Sequence, residues 1–126
     1  MFTRQVFKLI IMGFLIGVFS LPILVSDTLS RGKYYQLKFK LSTDTQKARY
    51  VGLYTQKALD ADMLIYDEDN KLLIKVVGTS GKYPTQFNFP GNGIYYAKIV
   101  AYSGEGPFLM LISDKEELKK ILKDVK

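Results

Sequence analysis

The chain has 126 residues, enough for one domain, with 48% apolar residues and a formal net charge of +6. It contains no His, Cys or Trp, which excludes a Ser-His-Asp triad, a cysteine nucleophile, a disulfide within the chain, and any zinc or haem site held by His or Cys. A lipid-modified N-terminal cysteine is excluded for the same reason, so any membrane attachment has to come from the polypeptide.

Residues 1–8 carry Arg4 and Lys8 and no acid, and Leu9 to Val25 then run without a charge. A basic start before an apolar run is read by the export machinery as a signal sequence, and the positive end stays in the cytoplasm. Seventeen uncharged residues exceed a typical signal core and approach the minimum for a spanning helix. Two fates stay open. The leader is cleaved, with Val18 and Ser20 or Leu24 and Ser26 as the small residues before the cut, or it is retained as a single-span anchor.

Strand signals follow. In Lys33 to Ser42, Tyr35, Leu37, Phe39 and Leu41 alternate with Tyr34, Gln36, Lys38 and Lys40, the pattern of a strand with one buried face. Arg49 to Thr55 and Ala61 to Tyr66 predict two more strands. Asp67 to Asn70 predicts a turn and Lys71 to Val77 a returning strand, making a hairpin. Thr85 to Phe89, Ile94 to Tyr102 and Phe108 to Ile112 complete a set of about seven, separated by Gly and Pro turns at residues 78–84, 90–93 and 103–107. Such spacing predicts an all-β, antiparallel sandwich or barrel.

At the C-terminus, Ser113 stands three residues before Glu116, a capping-box pattern. Leu118, Ile121, Leu122 and Val125 then share one face at helical spacing. A short amphipathic helix is expected, needing something to pack on.

Three segments carry a resemblance. They are Ala61-Asp62-Met63-Leu64-Ile65-Tyr66-Asp67, then Phe89-Pro90-Gly91-Asn92-Gly93-Ile94-Tyr95-Tyr96-Ala97-Lys98-Ile99, then Tyr102-Ser103-Gly104-Glu105-Gly106-Pro107-Phe108-Leu109-Met110. In this order they resemble the bacterial pre-peptidase C-terminal domain family. The resemblance implies a jelly-roll-like β-sandwich and an accessory role beside secreted peptidases, with polymers or proteins as partners and, in some members, calcium. This chain has no peptidase attached, so it acts alone or serves a separate partner. The matched residues are turn glycines and core positions, and they speak for a fold rather than a reaction.

Candidate sites follow from the outward positions. Asp60, Asp62, Asp67, Glu68 and Asp69 offer oxygen ligands for calcium. The simpler reading is a polar hairpin turn, and no metal or other cofactor is assigned. Tyr34, Tyr66 and Tyr96 point away from the core and suit either cross-strand pairing or an aromatic platform for sugars or peptides. Leu109 and Leu111 also point outward and need a cover. The tail helix, through Leu118, Ile121, Leu122 and Val125, is the expected cover; left free, both apolar faces become a partner surface. A pair of catalytic carboxylates has no evident cleft, and no catalytic residue is assigned.

The expectation is therefore a leader over residues 1–26, a sandwich over 27–112 and a helix over 113–126. The whole is an exported, non-catalytic binding or accessory module contacting a protein or polysaccharide outside the cytoplasmic membrane, with no nucleic acid. It is secreted or periplasmic if cleaved. The alternative is a single-span accessory subunit of a membrane complex, anchored through residues 9–25.

Overall fold

The computed structural model describes residues 19–41, 48–80 and 82–125. Seven strands and one helix follow in order: β1 (Ile23–Ser30), β2 (Tyr34–Leu41), β3 (Arg49–Thr55), β4 (Leu59–Asp67), β5 (Leu72–Val77), β6 (Thr85–Phe87), β7 (Gly93–Ser113) and α1 (Lys115–Val125). They form one antiparallel sheet, curled into a nearly closed barrel.

Strand β7 organises it. Its 21 residues are paired on both sides along their length. The first half lies between β2 and β4, and the second half between β1 and β3. Strand β5 extends the sheet from β4, and β6 from β3. The molecule thus has two walls that share β7: a first wall β5-β4-β7-β2 and a second wall β1-β7-β3-β6.

All three long runs turn the corner at one level. Strands β1 and β2 are joined at Arg31–Lys33, β3 and β4 at Gln56–Ala58, and β7 bends at Gly104. Gly32 and Gly104 have φ of 83° and 78°, backbone that a side chain disfavours. The corner is stitched from both flanks. Arg31 N–H donates to the Gly104 carbonyl at 2.9 Å, Gly32 N–H to Ala101 at 3.0 Å, and Glu105 N–H to Ala58 at 3.2 Å. The register between β4 and β7 also shifts here, since Asp60 faces Ser103 while Ala61 faces Ala101. Tyr102 is the extra residue, a bulge of the kind that lets a strand pass from one wall to the other.

Alternation fills the interior. Leu37 and Phe39 of β2, Val51 and Leu53 of β3, Met63 and Ile65 of β4, and Ala97, Ile99, Met110 and Ile112 of β7 are all buried in one cluster. One end is closed by aromatic rings. Phe89 meets Phe87, Tyr95 and Phe39 edge-on at centroid separations of 4.8, 5.0 and 6.0 Å. The Tyr95 hydroxyl donates to the Gly91 carbonyl at 2.6 Å and accepts from Gly91 N–H at 3.2 Å, fixing the turn before β7.

Three features differ from the sequence reading. First, β1 begins at Ile23, inside the stretch given to the leader. Ile23 and Val25 are core residues, and β1 pairs with β7 from end to end. Phe19 also bridges to Phe39 of β2. Residues 1–18, where the leader helix was expected, lie outside the described residues. Secondly, Ile94–Tyr102 and Phe108–Ile112 are one strand. The Ser103–Pro107 stretch, expected to make a turn, bends a strand that stays paired, with β4 up to Gly104 and with β1 from Glu105. Thirdly, the helix cap is one residue later than expected. Ser113 belongs to β7, paired with Tyr50 and fully buried. Asp114 instead accepts from Glu117 N–H at 2.8 Å while Glu117 accepts from Asp114 N–H at 3.1 Å, a reciprocal capping box.

The expected β4–β5 hairpin is present. Asp67 Oδ1 accepts from the N–H groups of Asp69 and Lys71, both at 2.9 Å. Asn70 takes the left-handed conformation with φ of 64°, which a short polar side chain tolerates.

Candidate binding faces

Residues directly opposite across an antiparallel ladder point to the same side. The register therefore lays out the outer face of the first wall in rows. One row is Val77, Asp62, Val100 and Tyr34; the next is Lys75, Leu64, Lys98 and Gln36; the third is Leu72, Tyr66, Tyr96 and Lys38. Beyond them Ile94 stands opposite Lys40. With strands about 4.8 Å apart and side chains repeating about every 6.8 Å along each strand, this is a regular lattice on the outside of the curled sheet.

Much of the lattice is open. Tyr34 is 60% exposed, Val77 57% and Leu72 48%, while Tyr66 and Tyr96 are half-buried side by side. Lys98 Nζ lies 4.6 Å from the centre of the Tyr34 ring, a cation–π contact. Lys75 Nζ is 3.9 Å from the Asp62 carboxylate, whose residue is buried although it faces outward. Tyr102, carried out of register by the bulge, borders the same face. Desolvation pushes its phenol above the ordinary value, and the charges of Asp62 and Asp60 and the neighbouring Tyr66 push the same way.

Tyr34, Tyr66 and Tyr96, the three tyrosines singled out from the sequence, thus belong to one face, with Tyr66 and Tyr96 direct cross-strand partners. Sequence reasoning did not select Lys38, Lys98, Leu72, Val77 or Tyr102 as companions. Parity along β2 and β7 was the available signal for Lys38, Lys98 and Tyr102. The pairing of β5 with β4, which brings in Leu72 and Val77, had none.

The leucines lie elsewhere, on the outer face of the second wall and on α1. Leu111 stands between Leu24 of β1 and Gly52 of β3, and Leu109 between Ser26 and Tyr54. The Tyr54 ring folds back over Gly52, with its hydroxyl 2.9 Å from where a Cβ on that glycine would be. Burial, with Tyr83 beside it, raises the Tyr54 phenol. Helix α1 packs against β3. Leu111 and Leu118 are 3% and 1% exposed, yet neither belongs to the barrel core cluster. Both are thus buried outside that cluster, Leu111 on the outer face of the second wall and Leu118 on the helix. Ile121 and Leu122 are half-buried, and Leu109 is partly exposed. The Val125 side chain lies outside the described residues.

The acids considered for calcium are divided. Asp60 and Asp62 belong to the first wall, whereas Asp67, Glu68 and Asp69 form the β4–β5 turn, where Asp67 is occupied in capping its own backbone. Among the described residues no group of three or more acids is placed to hold a metal ion, and no helix is long and apolar enough to cross a membrane. No family model and no curated protein matches the chain.

Proposed function

We propose that this protein is an exported, non-catalytic binding module that contacts a protein or polymer outside the cytoplasmic membrane through the outer face of its first wall. The observation that carries the reading is the open, outward-facing lattice around Tyr66 and Tyr96. It offers a wide platform and no deep cleft, which suits an extended ligand more than a small substrate. A chain without His or Cys brings few groups for acid–base or nucleophilic chemistry. The resemblance to pre-peptidase C-terminal domains supports the same role and a jelly-roll-like arrangement of the strands. Its three matched segments fall on β4, on the turn into β7 and on the Gly104 corner.

Export rests on the leader. Taking Phe19 and Ile23 to Val25 into the domain leaves Leu9 to Val18 as the free apolar run, ten residues. As a helix these would reach about 15 Å, half of a hydrocarbon core of about 30 Å, and they match the length of a signal core. This favours cleavage over a single-span subunit. A cut after Ser20 spares β1 and gives up only the Phe19 bridge to β2, while a cut after Ser26 would remove Ile23 and Val25 from the core.

Intact mass and cell fractionation of the protein expressed with its own N-terminus test the proposal. The expected result is a chain beginning at Leu21 in the soluble extracytoplasmic fraction. A full-length chain in the cytoplasm would overturn export, and one in the membrane resisting carbonate extraction would make the anchored subunit the correct reading.

A further inference from the structure

We infer that the ligand of the first wall is an acidic polysaccharide, a polymer of sugars bearing carboxylate or sulfate groups. The inference rests on the binding-module reading and names the chemistry of its ligand. Tyr96 is flanked by cations in two directions, by Lys38 directly across the ladder and by Lys98 two residues along its own strand. The two rows that hold these lysines contain no acid; beyond them, at one end of the face, Asp67, Glu68 and Asp69 of the β4–β5 turn line a hollow with Ile94. Asp62, at the far end of the face, already has Lys75 within 3.9 Å. The two central rows are therefore cationic, with the adjacent Tyr66 and Tyr96 bordered by Lys38 and Lys98 at ladder positions about 5 to 7 Å away.

A tyrosine pair bordered by lysines matches a sugar acid. One side of a pyranose ring is a patch of C–H groups that stacks on a tyrosine, while the carboxylate at its rim takes an ammonium group. Other occupants fit less well. The central part of a protein interface is depleted in lysine, yet here lysines stand among the tyrosines. Phosphodiester chains would also find rings and cations here, and it is export, on the reading above, that sets nucleic acid aside.

Isothermal titration of the full exported protein with polygalacturonate, at low and at physiological salt, tests the inference. Neutral dextran, single-stranded oligothymidine and phosphatidylglycerol vesicles serve as competitors for the assignment. Polygalacturonate is expected to bind more weakly as salt rises, and dextran not at all. Tyr96→Ala should weaken binding by about tenfold or more. The pair Lys38→Gln and Lys98→Gln should weaken it similarly and flatten the salt dependence, with thermal melting showing both variants folded. Should Tyr96→Ala unfold the protein, Lys38→Gln with Lys98→Gln alone decides, since both side chains lie on the surface. Tighter binding to oligothymidine or vesicles, equal binding of dextran, or variants that bind polygalacturonate as the wild type does would each overturn the inference. An exported protein that ignores polygalacturonate overturns this inference alone. A protein found in the cytoplasm overturns the reading beneath it, whatever it binds.

Discussion

The carbonyl oxygen of Ala58 accepts the N–H of Glu105 and fills the space into which any side chain on Gly104 would grow. The two strands approach this closely because the bend of β7 nests against the turn between β3 and β4. Gly104 also has a φ of 78°, so an alanine there meets both an unfavourable backbone and a backbone oxygen that cannot move aside. Gly104→Ala should cost at least about 2 kcal/mol, read as a lower midpoint in urea unfolding. Gly91, where a Cβ meets nothing within 4 Å, is the control and should tolerate alanine.

Where the domain starts has an equally direct test. A chain begun at Asp27 lacks Ile23 and Val25, two buried core residues. Their loss removes about 3 to 6 kcal/mol of apolar burial, comparable with the whole stability of a small domain. Such a chain should fail to give a cooperative melt, while one begun at Leu21 should give it.

Helix α1 should behave as structure. Leu118→Ala is expected to destabilise by about 2 to 3 kcal/mol, and Asp114→Ala by about 1 kcal/mol through loss of the capping box. The double change Leu111→Asp with Ile121→Asp separates two roles. Loss of cooperative unfolding marks the helix as intramolecular cover, whereas a folded protein would mark this surface as a partner site.

Alkaline pH should weaken the fold. Tyr35 is buried, and burial first, with Asp27 nearby second, raises its phenol above the ordinary value of 10.0. The folded state therefore holds that proton where the unfolded chain has begun to lose it. The stabilisation is complete below pH 10 and is lost as pH rises toward the higher folded value. Urea midpoints should fall from about pH 10 upward, and Tyr35→Phe should flatten the decline.

Alternation in the sequence made most of the strands readable, because one face of each is buried and the other is wet. The β4–β5 hairpin was readable from the Asp67–Asn70 turn chemistry. Two strand assignments failed for one reason: local composition was outweighed by pairing at long range. Ile23 to Val25 look like the end of an apolar leader until their partners Met110, Leu111 and Ile112 are known. Gly104 and Gly106 look like a turn until Ala58 and Arg31 are found bonded to that stretch. The binding face was half readable. Parity put Tyr34, Tyr66 and Tyr96 outside, but only the register shows that Tyr66 and Tyr96 are neighbours and that Lys38 stands beside them. The helix cap was misplaced because Ser113 and Asp114 both fit the pattern, and the ladder claimed the first.

The position of β7 has a consequence for the newly made chain. It is the last strand to be synthesised, and β1, β2 and β3 have no neighbour with which to form an extended ladder until it arrives. Before then the one sizeable local pairing is the β4–β5 hairpin, and a lone hairpin in water is marginal. Nearly every stabilising contact must wait for the closing of long loops. Such a domain remains open and threadable until β7 has emerged, then folds in one late, cooperative step around it.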